Sequence, residues 1–301
     1  MIKKELFGKI NDINIYAFTL ENIYLKVKIL NFGGIIQSIV IKEKNVDVVL
    51  GYKTLDCYLE DKNYFGAIIG RTVNSIKNAK LDFFGKECLL SKNDGENHLH
   101  GGVNGLSKKI WNYKINEDSL LLSTLCFDKE DGYLGNLQVD VLYKLNENSL
   151  CINYSAICDE DTPFNITNHS YFNLDGIGNI FNHYFKFNCF DKDNELNNNN
   201  LLEREYDENI YIYGEGLREI SKAYSQSTDV ELKVLSDMPC VQFYTANELG
   251  KTKGKQEYNR NNGFCIETQF NPEDVIKGKV YLVKNKIFKT STFFIFSILN
   301  K

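Results

Sequence analysis

Alternation of apolar and charged side chains is the feature that most limits what this chain can fold into. Leu25-Lys26-Val27-Lys28-Ile29 switches character at every residue, and Val139-Asp140-Val141 does so before the apolar Leu142. A side-chain period of two places one set on each face of an extended strand. Cys151-Ile152-Asn153-Tyr154-Ser155-Ala156-Ile157 is a further β-type run. The segments LQVDVLYKL and LCINYSAIC, separated by NENS, read as a hairpin. KVYLVKN and FKTSTFFIFSI read as two more strands, the last one half buried. Helical signals are few: TLDCYLEDK (54–62) and GEGLREISKAYS (214–225) are each good for one or two turns. No alternation of strand and long helix repeats, which disfavours a parallel βαβ sheet. The expectation is an all-β fold, a large antiparallel β-sandwich with few short helices, in which residues 1–301 form one domain.

An aromatic content of 13% and only three prolines suit wide sheets. A net charge of −5 without a Lys/Arg-rich run argues against nucleic acid as a partner. No apolar run reaches the roughly 18 residues of a membrane span, and the N-terminus lacks the apolar core of a signal peptide. The eight cysteines are scattered singly with no CxxC, as reduced thiols in a cytoplasmic protein would be. Residues 191–209, DKDNELNNNNLLEREYDEN, read as a long polar surface loop, and Tyr211-Ile212-Tyr213 resume the β texture.

Four stretches carry unusual polar groups. The segment 69-IGRTVNSI-76 holds Arg71 and Asn74 beside an apolar run, and 97-NHLHGG-102 puts His98 and His100 on one side if it is extended. The segment 165-NITNHSYFNL-174 frames His169 with Ile166, Phe172 and Leu174, and in 263-GFCIETQF-270 Glu267 and Gln269 are flanked by Phe264, Ile266 and Phe270. Each has a plain alternative. HxH without a Cys or Asp at ligand spacing is weak evidence for a metal. Arg71 has the option of pairing with a carboxylate. By pattern alone Glu267 reads as a strand residue pointing outward. Lone histidines are commonly satisfied by backbone groups. The residues themselves therefore define a polar pocket in a β protein and go no further.

In chain order, IIGRTVNSI, NHLHGG with Trp111 soon after, TPFNITNHSYFNL, PCVQFYTAN and GFCIETQ resemble the aldose 1-epimerase (galactose mutarotase) family. DVVLGYKTLDCYLEDKNYFGAIIGR and DGYLGNLQVDVLYKL agree with that text. The resemblance implies a β-sandwich whose cleft binds a free hexose such as galactose or glucose and interconverts its anomers. It implies Glu267 as base and His169 as acid, with His100 binding the sugar near its reacting end. Arg71 matches a sugar-binding arginine, Asp207 in YDEN matches an aspartate for sugar hydroxyls, and Asn74 and Gln269 complete the substrate-binding set. Acid–base ring opening and closure needs no metal or other cofactor. Apolar neighbours of Glu267 would raise its pKa toward the working range. Asn165, Asn168 and Ser170 are expected to hold the local backbone and orient His169, with His98 as support for the cleft.

The chain also departs from the family pattern. Glu208 stands where a histidine is usual, the stretch before Asp207 is shortened, Ser75 replaces the second arginine of G-R-x-x-N-R, and the text after Gln269 becomes NPEDVIKGK. Sugar preference is therefore not carried over. Three other readings stay open: an epimerase for a modified or phosphorylated sugar, using Arg71 or Arg204 as clamp; a non-catalytic sugar-binding or regulatory relative; and a metal-binding protein. Oligomeric state has no signature in the sequence.

Overall fold

The computed structural model of the chain describes residues 2–191 and 194–299. A nine-stranded antiparallel sheet runs in the order Asn112–Ile115, Ser119–Cys126, Leu137–Asn146, Ser149–Cys158, Phe288–Ile298, Val230–Ser236, Arg218–Ser225, His183–Phe187 and Asn200–Leu201. Its centre is the expected hairpin, in which Leu137 faces Cys158 and Asn146 faces Ser149. A five-stranded meander, Lys3–Ile10 to Val46–Asp47, and a four-stranded sheet of Tyr171–Phe172, Phe264–Gln269, Cys240–Tyr244 and Asp207–Tyr211 make up the other main sheets. One apolar core joins all three. Val27 and Ile39 of the meander, Val139, Ile152 and Phe294 of the large sheet, and Phe264 and Phe243 of the small one pack in it together. Sheets sharing one interior through alternate side chains is β-sandwich architecture, as the alternation implied.

Two α-helices occur among the described residues. Leu55–Leu59 lies inside the expected 54–62, and Pro272–Ile276 is capped by the Asn271 side chain, which accepts from Glu273 N. The second expected helical turn is absent: Arg218–Ser225 is a strand, paired on both edges. A bulge between Glu219 and Ser221 turns both Ile220 and Ser221 inward, and that break in alternation resembles helical spacing. KVYLVKN is likewise not a strand. Only Leu282 pairs there, exchanging backbone hydrogen bonds with Thr162. The polar stretch 191–209 is more anchored than a surface loop, because Leu196, Leu202 and Tyr206 are buried in the main core. Lys192 and Asp193 within it lie outside the described residues.

In the strand Phe264–Gln269 all six residues are buried. Phe264 and Ile266 enter the main core, and Thr268 bonds Thr292 there. Cys265, Glu267 and Gln269 fall on the opposite face, where other chain segments cover them instead of solvent.

Candidate active site

That opposite face floors a cavity of about 460 Å³. Glu267 and its cross-strand partner Gln242 lie side by side in it, with Asp207, Tyr244, Tyr171 and His169 around them. The far wall is Tyr64, Asn74, Ser75 and His100. Glu267 is 2% exposed, so the outward orientation read from pattern alone is overturned. The strand has a second covered face, which a period of two cannot distinguish from a wet one.

His169 follows the short strand Thr167–Asn168. Asn168 fixes this turn by donating to Gly66 O and accepting from Ser170 N and Oγ. Asn165 clamps Phe270 by donating to its carbonyl and accepting from its N–H. These asparagines hold the backbone that carries His169, while Phe172 enters the core. The His169 ring lies between Tyr171, at 5.1 Å and 22°, and Tyr64, at 6.2 Å and 27°. Its Nδ1 is 3.6 Å from Cys265 Sγ, and its Nε2 is 3.7 Å from Glu267 Oε1. Nδ1 is thus engaged by the protein, and Nε2 faces the carboxyl group.

Burial sets the protonation of this pair. Desolvation lowers the His169 pKa to about 4. The same cause, assisted by the negative charge of Asp207, raises that of Glu267 well above the usual carboxylate range. The direction for Glu267 agrees with the expectation from its apolar neighbours. His100 sits edge-on to His169 at 5.1 Å, and burial, then the two neighbouring histidines, holds its pKa well below normal. Glu267 Oε2, Gln242 Oε1 and His100 Nδ1 are buried without a hydrogen-bond partner in the structure. Polar atoms so placed at the wall of a cavity are suited to a ligand rich in hydroxyls.

Of the residues singled out from sequence, Glu267, His169, His100, Asp207 and Asn74 converge on the cavity. Gln269 stands behind it, donating to the Asn74 and Asn209 side chains. Arg71 is not brought to the cavity. Its guanidinium, 3% exposed, donates to the carbonyls of Leu134, Cys126, Phe127 and Gly135 and to Thr162 Oγ1. It braces a loop, and Ser75, four residues on, lines the cleft instead. His98 and His100 do not share a side. The chain leaves extended geometry at His100, whose φ is 52°, and a Cβ on the next residue, Gly101, would sit 1.9 Å from Gly70 O. His98 Nδ1 therefore points away to donate to Ser91 O, and Nε2 accepts from Tyr133 OH. Its part is to brace the turn that presents His100.

Tyr64 and Gln242 escaped the sequence reading as site residues. Gln242 was visible within PCVQFYTAN, and pairing that strand with GFCIETQ would have set it beside Glu267. Tyr64 had only its position in KNYFG to mark it. A larger hollow of about 570 Å³ beside Arg218 offers no comparable chemistry, since that guanidinium is spent on backbone carbonyls such as Tyr213 O and Met238 O.

Over residues 16–286 the chain matches the profile of the aldose 1-epimerase family. It is 33% identical to galactose mutarotase of Bos taurus, with 93% of this chain and 94% of that protein aligned. It is 30% identical to aldose 1-epimerase of Escherichia coli (strain K12), over 75% of this chain and 77% of that one. Among solved structures, an aldose epimerase homologue from C. elegans superposes with a TM-score of 0.86 at 26% identity, covering 94% and 98% of the two chains. Galactose 1-epimerase from Lactobacillus acidophilus, at 21% identity and a TM-score of 0.83, attests the fold alone.

Proposed function

The chain belongs to the aldose 1-epimerase family, and from that premise we propose that the cleft interconverts the α and β anomers of a free hexose such as galactose or glucose, with Glu267 as base and His169 as acid. The activity is that of an enzyme, a carbohydrate epimerase. The observation that carries the assignment is the approach of His169 Nε2 to 3.7 Å from Glu267 Oε1 at the floor of the cavity.

Burial favours a resting pair that holds one proton, on the carboxyl group, with the imidazole neutral. Hydroxyl donors of the sugar stabilise Glu267 as carboxylate, and the proton then resides on His169 Nε2. Glu267 removes the C1 hydroxyl proton while Nε2 delivers one to the ring oxygen, and the bond from C1 to the ring oxygen breaks. The open-chain aldehyde turns about C1–C2. Closure on the other face sends the former ring hydroxyl's proton back to His169 Nε2 and the Glu267 proton onto the C1 oxygen, so the pair ends each turnover as it began. Tyr64 and Tyr171 hold the imidazole plane, and His100 stands where it can polarise the reacting end.

A phosphorylated sugar is less well served. Arg71 is occupied by carbonyls, and Arg204 is held by Glu195 and Glu208 and lies over the Tyr206 ring at 3.8 Å. The retained acid–base pair likewise disfavours a purely binding role. One domain over residues 1–301 is supported by the core that Phe18 near the N-terminus shares with Phe296 near the C-terminus. A cytoplasmic setting is supported by eight cysteines with no disulfide among the described residues; no helix among those residues is long and apolar enough to cross a membrane.

The test is the rate at which freshly dissolved α-D-galactose and α-D-glucose change anomer, followed by polarimetry or proton NMR. Acceleration over the buffer blank, lost in Glu267→Gln, is the expected result. Folded protein that accelerates neither sugar would sink the assignment.

A further inference from the structure

We infer that His169, Cys265 and Glu267 form a binding site for a soft divalent cation such as Zn²⁺ or Cd²⁺, and that its occupancy shuts off proton transfer in the cleft. One ring nitrogen, the thiol sulfur and a carboxylate oxygen from these residues lie within 4.8 Å of one another. This is a nitrogen–sulfur–oxygen donor set of the kind zinc and cadmium prefer. Bonds of about 2.1 Å to nitrogen and 2.3 Å to sulfur at a tetrahedral angle set the two donors about 3.6 Å apart, and Nδ1 and Sγ stand at 3.6 Å. Cys265 and Glu267 project from the same face of one strand, two residues apart, so the backbone already holds two of the three donors.

A second observation points the same way. Glu267 Oε2 is buried without a hydrogen-bond partner. The third donor is a carboxylate oxygen of Glu267, within 4.8 Å of the other two, and that group has one oxygen without a partner. HxH spacing directed attention to His98 and His100, but the fold separates those two and gathers a different trio.

Binding involves no redox change. The thiol proton, and the carboxyl proton where present, leave to solvent as the metal bonds form. The consequence for turnover rests on the reading of His169 and Glu267 as the acid–base pair, whereas binding itself does not. With the Glu267 carboxylate ligated, no base remains for the C1 hydroxyl, although His169, bound through Nδ1, keeps Nε2 toward the cleft.

The test uses chelator-washed protein titrated with CdCl₂. A thiolate-to-cadmium charge-transfer band in the ultraviolet reports binding, taken as the difference between wild type and Cys265→Ser, because the half-buried Cys57 and Cys88 contribute a background. Mutarotation of α-D-galactose reports inhibition. We expect the difference band to rise with inhibition, EDTA to reverse both, and Cys265→Ser to raise the half-inhibiting concentration on the order of 100-fold. An absent band, a band without inhibition, or equal inhibition in Cys265→Ser would overturn the site or its effect. A band in protein that turns over no sugar would overturn the epimerase assignment and the switch together, while leaving the cation site standing. Should Cys265→Ser fail to fold, wild type alone decides: saturating sugar must suppress the band, and a band indifferent to sugar overturns the proposal.

Discussion

Ile266-Glu267-Thr268 in the four-stranded sheet and Val139-Asp140-Val141 in the nine-stranded sheet have nearly the same written pattern. In both, the outer residues enter the interior. Their middle carboxylates meet opposite fates. Asp140 is half exposed and accepts from the Gln138 amide on its own strand, while Glu267 is sealed over a cleft with one carboxyl oxygen unpartnered. Burying a carboxylate without partners is costly, and a fold bears that cost where the strained group has work to do. The sheet at Asp140 builds the scaffold. The sheet at Glu267 is a scaffold whose second face lines a cleft.

The sharpest way to break this comparison is to neutralise both carboxylates. Glu267→Gln should lower kcat for galactose or glucose by on the order of 10²–10⁴-fold, whereas Asp140→Asn should leave it within about twofold. Anomer exchange by proton NMR reads both, and a Glu267→Gln enzyme within tenfold of wild type would end the base assignment.

Next in size is the pH dependence, measured in chelator-containing buffer. The active pair carries one proton. Below about 4, His169 takes a second proton, Glu267 remains protonated, and no base is left. Above the raised pKa of Glu267 the pair loses its only proton, and no acid is left. The profile of kcat/KM should therefore be bell-shaped, each limb falling about tenfold per pH unit, and Asp140→Asn should not move either limb. A rate independent of pH across both limbs would remove the pair from the mechanism.

The same comparison explains what was legible beforehand. Period-two alternation sufficed for the sandwich and its central hairpin, because an apolar face implies a partner face wherever it occurs. It failed at Arg218–Ser225, where a bulge breaks the period. It also failed at Glu267, because water and a covered cleft leave identical patterns on a strand. Glu267, His169 and His100 were recovered by resemblance over motifs far apart in the chain. Arg71 was misplaced by the same route, since a motif supplies a residue type at a position and says nothing of where a long side chain ends. Gln242 needed cross-strand register, which no local motif contains.

Arg71 supplies a third test, between bracing and binding. Arg71→Ala leaves several buried carbonyls without donors, so stability should fall by about 3 kcal/mol, read by denaturant unfolding. The folded fraction should bind sugar with KM within about threefold of wild type, since lost substrate contacts are what raise KM at constant kcat. Unaltered stability with a KM raised well beyond that would return Arg71 to the sugar site.

The smallest effect examines the faces on which the two sheets should agree. Ile266 and Ile152 are both buried in the one shared core, at 1% and 0% exposure. Removing one methylene from either should cost about 1 kcal/mol, since the loss depends on local packing rather than on the chemistry of the opposite face. Ile266→Val and Ile152→Val should therefore shift the unfolding midpoint by similar amounts. Ile266 is also the residue through which strain at the core would reach Glu267, its immediate neighbour. If the strand insulates one face from the other, as its ladder to Cys240–Tyr244 implies, Ile266→Val keeps kcat within about twofold of wild type. A kcat that falls with Ile266→Val and not with Ile152→Val would mean that the core face tunes the cleft face, so that the two sheets differ on both sides of the strand.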